Sequence, residues 1–288
     1  MRNLKSTALI VVILLQQPLS LSVYGQEEGN IHQQNNQEEQ LGDDTDATRL
    51  KERTTMFALG YADILDTYLS QEKYSGSELR FISQTRKYQG HLIHSFVSQG
   101  SISVTSNRAD NNDEVGGRYD FHYHLRYQWV PYIGSHSEWQ IEVGGGIEAG
   151  LGFLYNMSNT NNPVQMQAAL NLAPSAATNY KMRFWHRTSM LRYEVSVPAV
   201  GVMFSPNYGQ SYYEIFSRGN YDHNIVQTTT LDTPSLRHAL FFDFPLSTRS
   251  QSPVLRLGYL GDYRQAKVNN LKYHHYSHLF VIGWTKTL

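Results

Sequence analysis

The chain of 288 residues has no cysteine. That absence removes disulfide scaffolds, thiolate metal sites, cysteine nucleophiles and lipoprotein-type acylation. It has no basic excess either: 24 Lys+Arg stand against 25 Asp+Glu, a formal net charge of −1. A nucleic-acid binder would carry a basic surplus or a basic stripe. Long apolar runs are missing too. The one strongly apolar segment, Ala8–Leu15, is far short of the ~20 residues a transmembrane helix needs. What the chain does have is 20 Tyr, 12 Phe, 4 Trp and 21 Gly within a polar composition of mean hydropathy −0.46. Tyrosine, glycine and low hydropathy together suit half-buried strands better than helices.

The N-terminus reads as an export signal. Arg2 and Lys5 make a positive head, Ala8–Leu15 an apolar core and Gln16–Ser22 a polar tail broken by Pro18. Val23-Tyr24-Gly25 supplies the −3 and −1 positions of a cleavage site, leaving Gln26 as the mature start. Residues 26–53, rich in Gln, Asn, Glu and Asp, cannot bury enough apolar surface to offset the entropy of ordering, and form a flexible leader. Residues 54–288 contain no linker and no repeat, and read as one domain.

Within that domain the period is two. From Arg118 to Trp129, Tyr119, Phe121, Tyr123, Leu125, Tyr127 and Trp129 alternate with Arg118, Asp120, His122, His124, Arg126 and Gln128. Such a run is a strand with one apolar and one polar face, because a helix would mix the two sets around its circumference. Trp139–Phe153 repeats the pattern over a length unusual for a soluble sheet. Val164–Leu172 and Leu191–Val197 are weaker copies. Ser77–Arg86, Asn179–His186, Leu236–Phe244 and Val254–Arg264 are imperfect ones. Near the C-terminus Phe280, Ile282, Trp284 and Leu288 share a face with Lys286.

Three features turn alternation into an antiparallel transmembrane β-barrel. The strands reach the ~9–11 residues needed to cross a bilayer at a tilt. The apolar faces end in aromatics, Tyr119 and Trp129 on one strand and Trp139 and Phe153 on the next, as interfacial girdles do. Glycines alternate with charges on the polar face of Trp139–Phe153, which suits packing inside a narrow barrel. About eleven runs are visible, and bacterial single-chain barrels have even strand numbers. The expectation is twelve strands, with Ile225–Leu231 as the missing one and ten as the alternative.

Several stretches resemble a family of uncharacterised Bacteroidetes cell-envelope proteins. They are Asp66-Thr67-Tyr68-Leu69-Ser70 followed by Tyr74-Ser75-Gly76, the run from Phe204-Ser205-Pro206-Asn207-Tyr208 through Gly209-Gln210-Ser211-Tyr212-Tyr213-Glu214-Ile215-Phe216, Leu257-Gly258-Tyr259, and Val268–Lys272 continuing to His278. The resemblance spans 54–288 and implies an outer-membrane or cell-envelope barrel. It transfers no catalytic residue.

Projected inward, the polar faces assemble Arg80, Arg118, Asp120, His122, His124, Arg126, Glu142, Glu148, Arg183, Arg192, Glu194, Arg256, Asp262 and Arg264, with Glu78, Arg86 and Lys181 beside them. Mixed signs in a narrow lumen must form hydrogen-bonded pairs, since an unpaired buried charge is too costly. The expected lumen is therefore filled by charged side chains, and an aqueous channel belongs to wider barrels. Tyr208, Gln210, Ser211, Tyr212, Tyr213 and Glu214 form an amphipathic segment suited to ligand contact, or to a loop or short helix over the mouth. His122 and His124 point the same way but lack defined third and fourth ligands, so no metal or other cofactor is expected. Ser135 and Ser277 lie near His136, His275 and His278, and no serine–histidine geometry follows from sequence.

The reading is thus an exported, monomeric outer-membrane barrel with a periplasmic leader. Its expected partners are outer-membrane lipid, the barrel-assembly machinery through the C-terminal strand, and a small solute or lipid ligand, with no nucleic acid. The expected role is structural, binding or narrow solute passage rather than wide-pore conduction. The alternative is a membrane-embedded lipid or lipopolysaccharide ester hydrolase.

Overall fold

A computed structural model describes residues 50–131, 138–185, 187–247 and 252–288. The signal segment, most of the leader, Ser135 and His136 lie outside the described residues. Twelve strands and one short helix follow in order. They are β1 Lys51–Asp66, β2 Tyr74–Gln89, β3 Leu92–Asn107, β4 Asp113–Trp129, β5 Trp139–Asn156, β6 Val164–Phe184, β7 Arg187–Ser196, β8 Val200–Phe204, α1 Tyr212–Phe216, β9 Ile225–Thr229, β10 Leu236–Pro245, β11 Val254–Val268 and β12 Leu271–Thr287. β1 begins at Lys51, so Lys51-Glu52-Arg53, expected in the leader, belong to the barrel wall.

Ten of these strands close a ring. β1 to β7 pair in sequence, β7 pairs β10, β10 pairs β11, β11 pairs β12, and β12 returns to β1, every pair antiparallel. The other two strands complete the wall at one end. β7 pairs β6 only over Ser175–Phe184, and β8 takes Ala168–Leu172. β9 then pairs β8. Twelve strands are present, as the alternation suggests, but the ring is ten-stranded because β7 and β8 share one position in it and β10 and β9 another.

The segments Val164–Leu172 and Asn179–His186, read separately in the sequence, are parts of the single 21-residue β6 up to Phe184. Pro174 lies inside it. Its carbonyl accepts from Val197 N at 3.1 Å, so its missing N–H faces the break between β7 and β8, where no ladder bond is lost. β1 and β3 escape the alternation test for a different reason. β1 is apolar on both faces, with Phe57, Leu59 and Tyr61 exposed and Met56, Ala58, Ala62 and Ile64 buried. β3 mixes serines into both faces.

The barrel has a terminal end, where β1 starts and β12 finishes, and a loop end, where β1–β2, β3–β4, β5–β6 and β11–β12 turn and the 197–235 excursion leaves the wall. The outward face is apolar over its middle, with Leu79, Phe121, Leu125, Val143, Ile147, Leu170, Phe280 and Ile282 exposed. Trp129, Trp139 and Tyr127 lie toward the terminal end, and Phe153 and Tyr155 toward the loop end. Inside, the filling is not purely charged. Met56, Ala58, Ile82, Val97, Ala239, Phe241, Leu260, Leu279 and Val281 form an apolar cluster on the β1–β3 and β10–β12 side.

Candidate functional site

Thirteen of the fourteen expected lumen residues lie on the inner face, and they interlock. Toward the terminal end, the buried Glu142 carboxylate accepts from Arg86 Nη2 at 2.6 Å, Arg192 Nη1 at 2.9 Å and Asn179 Nδ2 at 2.8 Å. Arg192 also pairs Glu194, which Arg126 Nη1 reaches at 3.4 Å. Beside them Arg256 grips Asp243 with two hydrogen bonds of 2.7 Å. Further toward the loop end Asp262 accepts from Arg80 Nη1 at 2.6 Å and from Arg264. Asp120 accepts from Arg118 Nε at 2.7 Å, Arg264 Nη2 at 3.3 Å and Gln99 Nε2 at 3.1 Å. Glu148 holds His124 Nε2 at 3.1 Å, and Arg126 Nη2 lies 3.3 Å from His124 Nδ1. Arginine can only donate, so this arrangement suits a tautomer whose Nδ1 accepts and whose Nε2–H donates to Glu148.

Arg183 is the exception. Alternation puts it on the inward side, but it is the penultimate residue of β6, opposite Thr188 beside the turn, and its side chain is exposed. Lys181, two residues earlier, is exposed as well. Sequence reasoning missed Arg237 and Asp243. Both share the inward side of the imperfect run Leu236–Phe244 with Ala239 and Phe241. An arginine and a carboxylate at the two ends of an otherwise apolar face were the available signal.

The loop-end mouth is spanned chiefly by the β1–β2 turn. Leu69 from that turn packs with Ala62, Ile64 and Leu154, and Tyr68 and Tyr273 close over them. Asn159 Nδ2 donates to Leu69 O at 2.9 Å, tying the turn to the β5–β6 loop. The Tyr68 ring meets Tyr212 edge-on at 5.7 Å. Burial pushes the Tyr68 hydroxyl up to about 12, with Asp66 and Glu214 adding to it, so it stays neutral.

The tyrosine segment is mostly self-supporting. Ser211 caps α1 and Glu214 returns the bond to the Ser211 amide, a complete capping box. Gln210 bonds Asn207, Asn220 and Asn224 within the same excursion. Tyr212 anchors the helix to β6, donating to Gln165 Oε1 at 2.6 Å and accepting from Met166 N at 2.7 Å. Tyr208 and Tyr213 are exposed. Of the six expected contact residues, Tyr212 bonds β6 and meets the Tyr68 ring, and Tyr208 N donates to Asn269 O of the β11–β12 turn at 3.3 Å.

Between the mouth and the ion pairs is a chamber of about 120 Å³. Arg118, Asp120, His122, Glu148, Arg237, Asp262 and Arg264 make its charged side, and Ala169, Met203, Ala266, Val268 and Leu271 its apolar side. Gly150 leaves room here for the Arg118 guanidinium and the Asp120 carboxylate, which a Cβ would displace. The wall beside the chamber carries a seam. β10 pairs β11 only up to Tyr263, and β9 pairs only β8. The stretch 230–235 lies between, held by Lys267 N to Asp232 O at 2.9 Å, Gln265 N to Ser235 Oγ at 3.2 Å and Gln265 Nε2 to Pro234 O at 2.5 Å.

Among the described residues, Ser277, His275 and His278 do not form a serine–histidine pair. Ser277 and His275 are buried on the inner face, and each bonds the same Glu78 oxygen, at 2.6 and 2.9 Å. The serine hydroxyl donates to a carboxylate and has no imidazole base. His278 points outward to Tyr259 at 2.6 Å. Among the described residues no group of three or more His, Asp or Glu could hold a metal ion.

Ten antiparallel strands closed on themselves, apolar outside and ion-paired within, define a barrel of the outer-membrane type. The chain belongs to the family described as "Protein of unknown function (DUF3316)", whose model matches residues 8–288. No curated protein matches it. It is similar to the transport unit of the autotransporter AIDA-I from Escherichia coli, at 8% identity over 85% of this chain and 92% of that one, with a TM-score of 0.43. The β domain of the Bordetella autotransporter BrkA follows at 11% identity over 83% and 100%, with a TM-score of 0.40. Neisserial surface protein A gives 10% over 82% and 96%, with a TM-score of 0.33.

Proposed function

We propose that this protein is a bacterial outer-membrane barrel closed to through-flow, which holds a small ligand in its loop-end chamber instead of conducting solutes. The observation that carries this reading is the lattice centred on Glu142, Arg192, Asp262 and Arg264, which joins strands from both sides of the bore with buried ion pairs. A solute passing through would have to separate them, stranding desolvated charge at several kcal/mol per ion. The turn of Tyr68 and Leu69 packs over the inner face at the loop end, against Ala62, Ile64 and Leu154. The outward apolar band and its aromatic ends support a membrane setting.

In this reading the N-terminal segment directs export and the leader is periplasmic. Lipid covers the outward face, and the protein works as a monomer. β12, with Phe280, Ile282 and Trp284 outward, is the strand offered to the assembly machinery. Two measurements test the reading together. The protein sediments with outer membranes and shows heat-modifiable gel mobility. Proteoliposomes containing it do not swell in isotonic arabinose. Swelling at porin-like rates, or recovery in the soluble periplasmic fraction, rejects it.

A further inference from the structure

The chamber is chemically two-sided, and the buried side-chain atoms of its lining that lack a hydrogen-bond partner, Arg264 Nη1 and Gln167 Nε2, are both donors. Asp120 and Asp262 each accept from two arginines, and Glu148 accepts from His124. The remaining carboxylate in the lining, Asp66, accepts from Tyr68 N at 3.0 Å. The donors are not used up. Arg264 Nη1 is buried without a hydrogen-bond partner. Arg118 bonds Asp120 through Nε alone among the described residues, and its Nη2 lies over Gly150 in the chamber wall. Two guanidinium groups with spare N–H groups on one side of a cavity call for acceptor oxygens, and an arginine fork favours a planar or tetrahedral oxyanion.

The rest of the chamber excludes a simple hydrated anion. Along β11 the inward positions change from Asp262 and Arg264 to Ala266 and Val268 toward the loop end, and Leu271 of β12 continues them. Ala169 and Met203 face them from β6 and β8. Methionine and small aliphatic side chains adapt to a flexible hydrocarbon chain. At roughly 12 Å³ of such volume per water, the space holds about ten waters, hence a ligand of about ten heavy atoms.

The seam supplies a route. The apolar side of the chamber adjoins a stretch of described wall where neighbouring strands are not laddered, between β9 and β11. The segment 230–235 fills it with four hydrogen bonds to β11 that involve Asp232, Pro234 and Ser235, and Leu231 on that segment is almost wholly exposed.

We propose that the loop-end chamber is a binding site for a single-chain anionic amphiphile of medium length. Its oxyanion head sits on Arg118 and Arg264, its chain lies along Met203, Ala266 and Leu271, and it enters sideways past the 230–235 segment. This rests on the closed-barrel reading and names the ligand class of that chamber.

The test uses the full mature chain in lipid nanodiscs, titrated calorimetrically with octanoate against empty-nanodisc controls. Octanoate binds at one per chain, while octan-1-ol, lacking the charge, and inorganic phosphate, lacking the chain, each bind at least tenfold more weakly. Octyl phosphate separates the sources: tighter binding than octanoate indicates a phospholipid-derived ligand, weaker binding a free carboxylic acid. Arg118→Gln weakens octanoate at least tenfold and leaves octan-1-ol unchanged, and Met203→Trp, which fills the apolar side, abolishes binding of octanoate. Because the chain has no native cysteine, a Ser235→Cys/Gln265→Cys disulfide can pin the segment to β11. It slows octanoate association more than tenfold until reduced, with the affinity unchanged. Equal binding by wild type, Arg118→Gln and Met203→Trp overturns the proposal, as does octanoate binding no tighter than octan-1-ol. No octanoate binding by a protein that also fails to swell liposomes overturns the amphiphile site and leaves the closed barrel standing, whereas swelling removes the closed barrel itself.

Discussion

At the scale of single residues, the barrel sorts side chains by the parity of their position, and this is where the sequence was most legible. Tyr123 and His124 are neighbours in β4 and look in opposite directions. Tyr123 packs against Phe96 outside, the rings tilted with centroids 4.9 Å apart, and His124 is buried against Glu148 inside. Tyr123→Arg puts a charge on the lipid face near mid-strand and should lower folding stability by about 2–4 kcal/mol. His124→Gln keeps a neutral donor beside Glu148 and should lower it by less. Urea titration in lipid vesicles compares the two, and equal losses would mean that the faces are misassigned. Glu142 presents the opposite case. It is the common acceptor of Arg86, Arg192 and Asn179, so Glu142→Gln strands buried positive charge and should lower stability by about 3–5 kcal/mol. Its role inside was legible from alternation. Its three partners were not, because they come from β2, β6 and β7, whose register no local pattern reveals.

At the scale of elements, legibility followed contrast between the two faces. β4 and β5 alternate cleanly because their inner faces are charged or glycine and their outer faces aromatic and aliphatic. β1 and β3 do not, since the apolar cluster around Met56 and Val97 makes part of the lumen as apolar as the outside. The tyrosine segment is a separate case. Its composition suggests a contact surface or a short helix over the mouth. It forms the short helix α1, and Gln210, Ser211 and Glu214 bond within the excursion. The Tyr68–Leu69 turn, which no alternation pattern in the sequence marked, packs over the inner face at the same end. The Ser211 amide bond holds the exposed Glu214 carboxyl below its ordinary value, so the capping box contributes fully above that ordinary value and weakens as pH falls through the depressed one. Amide protection at Ser211 and Glu214, corrected for intrinsic exchange, should hold from pH 7 to pH 5 and drop in stronger acid. Ser211→Ala should reduce it at all pH values while barrel amides stay protected. Unchanged protection in that variant would remove the box as the determinant of this helix end.

At the scale of the whole molecule, alternation and length implied a barrel and parity implied an even strand number, but closure is a property of pairing. Ile225–Thr229 is a strand, as its composition suggests, and it pairs β8 and shares one ring position with β10. Nothing local distinguishes a strand that fills a whole ring position from one that fills half of it. The lumen follows the same logic: ten strands make a bore that arginine side chains bridge, so Arg80 of β2 reaches Asp262 of β11 and Arg86 of β2 reaches Glu142 of β5. The central claim is that these bridges shut the barrel. Single-channel recording of the refolded protein in planar bilayers at moderate salt tests it most directly. The account predicts no steady current from the unmodified protein, and a folding loss rather than a conductance from Glu142→Gln combined with Glu148→Gln. A stable, large unitary step from the unmodified protein would contradict it.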